Sequence, residues 1–196
     1  MLKKVSFFCL LAVFAYSANA VAQSNDAMIA SIAKYNDNVN ADIAAEKLFS
    51  HRVTLNTESS KTRLWGKISK YQENLTCYFE VRDGLTILKK IIILSDIADR
   101  QSYTDMLFDE SGNPALVFYT NNLKNASSAN DRYMYSNRKL IYFSTTKNTE
   151  LGAVTDSYDE SNFETKQIND GLEMMTKAEN YKKMFDAIAK VQMSQF

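Results

Sequence analysis

Tyr103-Thr-Asp-Met-Leu-Phe-Asp-Glu-Ser-Gly-Asn-Pro-Ala-Leu-Val-Phe-Tyr119 decides the fold: two apolar runs flank an Asp-Glu-Ser-Gly-Asn turn cluster. Such a pattern predicts a β-hairpin. Gly112 can take the positive φ a tight turn needs, while Asp109, Ser111 and Asn113 can bond their own backbone. Pro114, the only proline in the chain, has no N–H to give a ladder, so it suits the first position after a turn.

Similar pairs stand on both sides. Upstream, Thr62 to Tyr71 alternates, with Leu64, Gly66 and Ile68 on one face and Arg63, Trp65, Lys67 and Tyr71 on the other. Thr76 to Arg82 places Cys77, Phe79 and Val81 inward and Tyr78, Glu80 and Arg82 outward, as the period of two requires. Asp83-Gly84 is a turn signal. The strand from Leu85 to Leu94 follows, and its Ile91-Ile92-Ile93-Leu94 run is apolar on both faces, which predicts a central or helix-covered position. Lys89, Lys90 and Asp96 read as charges that limit edge aggregation. Downstream, Asn121 to Asp131 is a polar loop, and Arg132 to Tyr135 pairs with Leu140 to Phe143 across Ser136-Asn137-Arg138-Lys139. Three hairpins without a shared repeat signature predict a meandering antiparallel sheet of six or seven strands.

Helical patterns close the two ends. Met28, Ile29, Ile32, Val39 and Ile43 mark one face of a helix from about Asn25 to Phe49. Asn36, Asp37, Asn38 and Asn40 are poor helix formers that predict a break in it. His51 to Ser60 is polar and reads as a loop, and Thr145 to Asn162 as a loop or irregular strand. Ser161 with Glu164 has capping-box spacing, repeated by Thr176 with Glu179. Ile168, Leu172, Met175, Ala178, Tyr181, Phe185 and Ile188 form the stripe of an amphipathic helix, with Gly171 as a possible interruption. The fold class is therefore α+β, with an N-terminal helical segment and a C-terminal amphipathic helix packed on one sheet face.

The first residues, Met-Leu-Lys-Lys, an apolar run from Val5 to Tyr16 and then Ser17-Ala18-Asn19-Ala20, have the plan of a secretory signal peptide. Residues 1–22 are read as a cleaved leader and 23–196 as a single α+β domain in the periplasm or secreted, with no membrane anchor after cleavage. Cleavage leaves Cys77 as the one cysteine, so no internal disulfide can form and stability must come from packing. Its alternation with Phe79 makes it a buried small hydrophobe. The full chain carries 23 basic and 23 acidic side chains. Loss of Lys3 and Lys4 turns the balance slightly acidic, which argues against nucleic acid as a partner.

The catalytic inventory is thin. His51 is the one histidine, and no Gly-x-Ser-x-Gly elbow surrounds any serine. One histidine and one cysteine make no usual zinc or copper set. Asp156, Asp159, Glu160 and Asn162 lack the spacing and glycine of a calcium loop, and Met174, Met175, Met184 and Met193 are accounted for by core packing. No catalytic residue, metal site or cofactor is therefore expected. Asp109, Glu110, Glu80 and Asp105 show no spacing that selects a carboxylate pair.

What remains is an outward aromatic set. Trp65, flanked by Arg63 and Lys67, together with Tyr71 and Tyr78, is the expected ligand-binding surface, with Tyr103, Tyr119, Tyr133 and Tyr142 as further candidates. Such rings offer apolar area with a polar handle to a sugar or a peptide. The favoured function is a non-catalytic binding protein for a protein or cell-envelope ligand. The alternatives are a hydrolase with a carboxylate or His51 centre, and a carrier of a lipid or small apolar ligand between helix and sheet.

Overall fold

A computed structural model describes residues 25–57, 71–97, 100–121, 129–149 and 152–193 of the 196 in the chain. A helix, α1 (25–44), precedes eight strands: β1 Phe49–Thr57, β2 Tyr71–Arg82, β3 Leu85–Ile97, β4 Arg100–Phe108, β5 Pro114–Thr120, β6 Ala129–Ser136, β7 Lys139–Thr149 and β8 Gly152–Asp159. A second helix, α2 (Thr165–Met193), follows. The strands form one sheet in the order β1-β2-β3-β4-β5-β6-β7-β8, each antiparallel to the next. No described helix is long and apolar enough to cross a membrane.

The β4–β5 hairpin is built as its residues dictate. Asp109 Oδ1 accepts the backbone N–H groups of Ser111 (2.9 Å) and Asn113 (2.8 Å), Gly112 sits at φ 79°, and Pro114 opens β5 opposite Phe108. Neighbouring residues then alternate between two cores. Met106 and Phe108 join Val117, Tyr133 and Tyr135 in one cluster with Ala178, Phe185 and Ala189 of α2. Leu107 joins Leu116, Met134 and Ile141 in the other with Ile32 and Val39 of α1. The two helices therefore cover opposite faces of one sheet.

Four differences from the sequence reading have physical causes. Among the described residues the strand count is eight: 49–57 is a strand where a loop was expected over 51–60, and 152–159 is a strand within the stretch read as a loop or irregular strand. In β1 the half-buried His51, Val53 and Leu55 alternate with exposed Arg52, Thr54 and Asn56; in β8 nearly every side chain is exposed, and the backbone ladder to β7 holds it. The helix α1 ends at residue 44 and runs unbroken through its asparagines. Lys89 and Lys90 are not surface charges: they are 5% and 0% exposed. The stripe of α2 is also rotated at its start, with Gln167 and Gly171 buried while Ile168 and Leu172 are about half exposed. Gly171 is a point of closest approach and not an interruption. Its carbonyl accepts the Tyr135 hydroxyl at 2.7 Å, and a Cβ there would meet Leu140 Cδ2 at 2.8 Å.

The helix cap likewise lies three residues later than the Ser161/Glu164 spacing suggests. Glu164 N–H donates to the Gln167 side chain at 2.9 Å, and the Glu164 carbonyl accepts the N–H of Ile168. Thr176 sits within the helix, its hydroxyl bonding the carbonyl of Leu172.

Candidate functional site

Register assigns the sheet's side chains to rungs, because residues directly opposite in an antiparallel ladder share a face. On the α1 side, the rung Tyr78–Lys90–Leu107–Leu116–Met134–Tyr142 lies nearest the turns. The next is Thr76–Ile92–Asp105–Phe118–Arg132, then Asn74–Leu94–Tyr103–Thr120, then Gln72–Asp96–Gln101. The apolar side chains of α1 pack on the first rung from Leu107 to Tyr142 and reach Phe118 on the second. Beyond that the face is left open by both helices, and Leu94 is 49% exposed on it.

A polar lock fixes where α1 stops. A bulge between Tyr78 and Phe79 of β2 leaves Lys89 without a direct partner, so Lys89 and Lys90 both reach the α1 side. Lys90 Nζ donates to Asn36 Oδ1 (2.8 Å), Asn40 Oδ1 (2.7 Å) and Asp105 Oδ2 (2.9 Å). Three acceptors satisfy the three donors of a buried ammonium, the condition under which burial of a charge is tolerated. Asn36 and Asn40 stand four apart, one turn of helix, and so share a face. Beside them Lys89 bonds Glu110 and Glu80 and lies 5.9 Å from the centre of the Tyr35 ring. The Lys89 hydrogen bond, with nearby Arg82, holds the Glu110 carboxyl below its ordinary value. Asp105 Oδ1 is buried with no hydrogen-bond partner, at the boundary between the covered and open rungs.

The open face carries Tyr78, Ile92, Leu94, Tyr103 and Phe118. Tyr103 and Phe118 meet edge to face with ring centres 6.2 Å apart. Burial, helped by Asp105 and Tyr78, pushes the Tyr103 phenol up to about 12. At the end of the face a hollow of about 220 Å³ is lined by Gln72, Asn74, Leu94, Asp96, Gln101 and the two serines Ser95 and Ser102. Asn74 Oδ1 accepts from Thr54 Oγ1 (3.1 Å) and Gln72 Nε2 (3.4 Å).

The α2 side differs. Glu73, 3% exposed, accepts from Ser95 Oγ at 3.0 Å and from Tyr181 OH at 2.5 Å. Tyr71 also lies by this carboxylate; burial and Glu73 push its phenol up to about 12. A groove of about 640 Å³ runs along α2 past Leu172, Thr176, Lys177, Asn180, Tyr181 and Met184.

The expected site residues are thus divided. Tyr78 stands on the α1 side of the sheet, and Tyr71, seven positions earlier in the same strand, on the α2 side. Arg63, Trp65 and Lys67 lie outside the described residues, as do the leader and most of the 62–71 stretch. Of the further candidates, Tyr103 joins Tyr78, Tyr142 lies under α1, and Tyr119 and Tyr133 face α2, with Lys177 Nζ 5.9 Å from the Tyr119 ring centre. Ile92, Leu94 and Phe118 had no part in the sequence-derived site; the signal for them was the apolar Ile91–Leu94 run, half of which the fold leaves open.

His51 pairs with Cys77 in the β1–β2 ladder, and burial pushes the Cys77 thiol up to about 11. Among the described residues no group of three or more His, Cys, Asp or Glu could hold a metal ion. The molecule is an α+β protein with helices on opposite faces of an eight-stranded antiparallel meander. Comparison of the chain with protein-family models, with curated proteins and with solved structures finds no match.

Proposed function

We propose that this is an exported, non-catalytic binding protein that engages a protein or cell-envelope ligand through the part of the sheet left open beyond α1. One observation carries the reading. Tyr78, Ile92, Leu94, Tyr103 and Phe118 gather on a face where the central strand β3 presents Leu94 49% exposed. An antiparallel sheet commonly turns one face to water, but that face is then polar, and exposed apolar surface rimmed by polar residues is what a binding site requires. Aromatic rings held by a sheet also lose little conformational entropy on contact.

Export rests on the leader pattern of residues 1–22, and the rigid sheet supplies the scaffold. The test is co-sedimentation of the purified protein with bacterial envelope fractions, comparing wild type with Tyr103→Ala and Leu94→Asp. Wild type is expected to sediment with an envelope component and both variants to stay in solution with native circular dichroism. Equal sedimentation of all three would remove the open face as the site.

A further inference from the structure

We infer that the hollow at the end of the open face is a subsite for a single sugar ring, seated over Leu94 beside its ladder partner Tyr103; this deepens the reading above and rests on it. The hollow spans two rungs, Gln72–Asp96–Gln101 and Asn74–Leu94–Tyr103. Its volume of about 220 Å³ is below the range of about 300–1,000 Å³ usual for drug-sized ligands, which suits one ring with its hydroxyl groups.

The polar groups suit vicinal hydroxyls. Asn74 Oδ1 is already engaged by Thr54 Oγ1 and Gln72 Nε2, which ties the two amides into one hydrogen-bonded pair. The bonds to Asn74 Oδ1 leave the Asn74 amide N–H groups as donors and the Gln72 carbonyl oxygen as an acceptor, two residues apart on one face of β2. A hydroxyl both donates and accepts, so neighbouring hydroxyls can use such a pair together. Gln101, across Asp96 from Gln72 in the same rung, adds a third amide. A purely apolar ligand would strip water from three amides without replacing their bonds. The apolar C–H face of a sugar ring can rest on Leu94 while its edge stays polar, and Tyr103, opposite Leu94 in the ladder, stands beside the hollow.

Titration calorimetry tests this with the purified protein and cello-, chito- and malto-oligosaccharides, each compared with phosphatidylglycerol vesicles and a mixed unstructured peptide pool. Saturable binding of at least one neutral oligosaccharide is expected, weakened about tenfold or more by Asn74→Ala and by Gln101→Ala, with thermal unfolding unchanged. Oligosaccharide binding indifferent to both amide substitutions would overturn the subsite. Binding of vesicles or peptide alone, lost in Tyr103→Ala, would overturn the sugar while leaving the open face. No probe responding to Tyr103→Ala would overturn both.

Discussion

Lys90 is the residue whose surroundings account for most of what the chain's polar residues do. A fully buried ammonium with Asn36, Asn40 and Asp105 around it ties the first helix to the centre of the sheet at one register. Removing one partner of such a pair strands the other, so Lys90→Met should cost about 3–5 kcal/mol in urea unfolding. The double variant Lys90→Met/Asp105→Leu should recover a large part of that. A cost under about 1 kcal/mol for the single change would show that the pair is not buried in solution. Alkali offers a second test at this scale. The phenols of Tyr71 and Tyr103 are raised to about 12 by burial first and then by Glu73 and Asp105 respectively, against an unfolded value near 10. Stability from keeping them protonated is fully present below pH 10 and is lost as pH rises through about 12. A spectrophotometric titration should therefore find phenolates forming late and together with unfolding; reversible ionisation of all tyrosines near 10 in a folded protein would contradict this.

At the scale of elements, the phase of α2 is the sharpest statement. Phe185 is 2% exposed and packs on Phe79 with ring centres 5.4 Å apart, whereas Leu172 is 55% exposed. Phe185→Ala should cost about 3–5 kcal/mol, and Leu172→Ala should stay within about 0.5 kcal/mol. Comparable losses at both positions would mean that the helix buries the stripe drawn from spacing alone.

That stripe shows how far spacing carries. Three- and four-residue steps placed α2 correctly but could not tell Leu172 from Gly171, because the close approach at Gly171 depends on Tyr135 and Leu140, far away in the chain. The central hairpins were legible because Asp109, Gly112 and Pro114 act locally. Strand β1 was hidden, and β8 legible only as a loop or irregular strand, because each presents mostly polar or exposed side chains and is held by its neighbour's backbone. The asparagines of α1 looked like helix breakers because their partner, Lys90, lies fifty residues further on. Tyr71 shares a face with Tyr78 only if it closes a strand over 62–71; as the first residue of β2 its side is set by Glu73 and Leu75, facing α2.

For the whole molecule, an unequal cover is what turns a fold into a candidate binding protein. The apolar core against α2 runs from Leu75 in β2 to Phe143 in β7, while the apolar cover of α1 reaches no further than Phe118, one rung beyond Lys90, and leaves Leu94 and Tyr103 open. Hydroxyl-radical footprinting of the native protein, with and without a sedimenting envelope fraction, tests this most directly. The account predicts that Tyr78, Leu94, Tyr103 and Phe118 react in the free protein while Met106, Phe108 and Val117 do not, and that the fraction protects the first set. Protection confined to Leu172 and Met184 beside α2, or inert Leu94 and Tyr103 in the free protein, would contradict it.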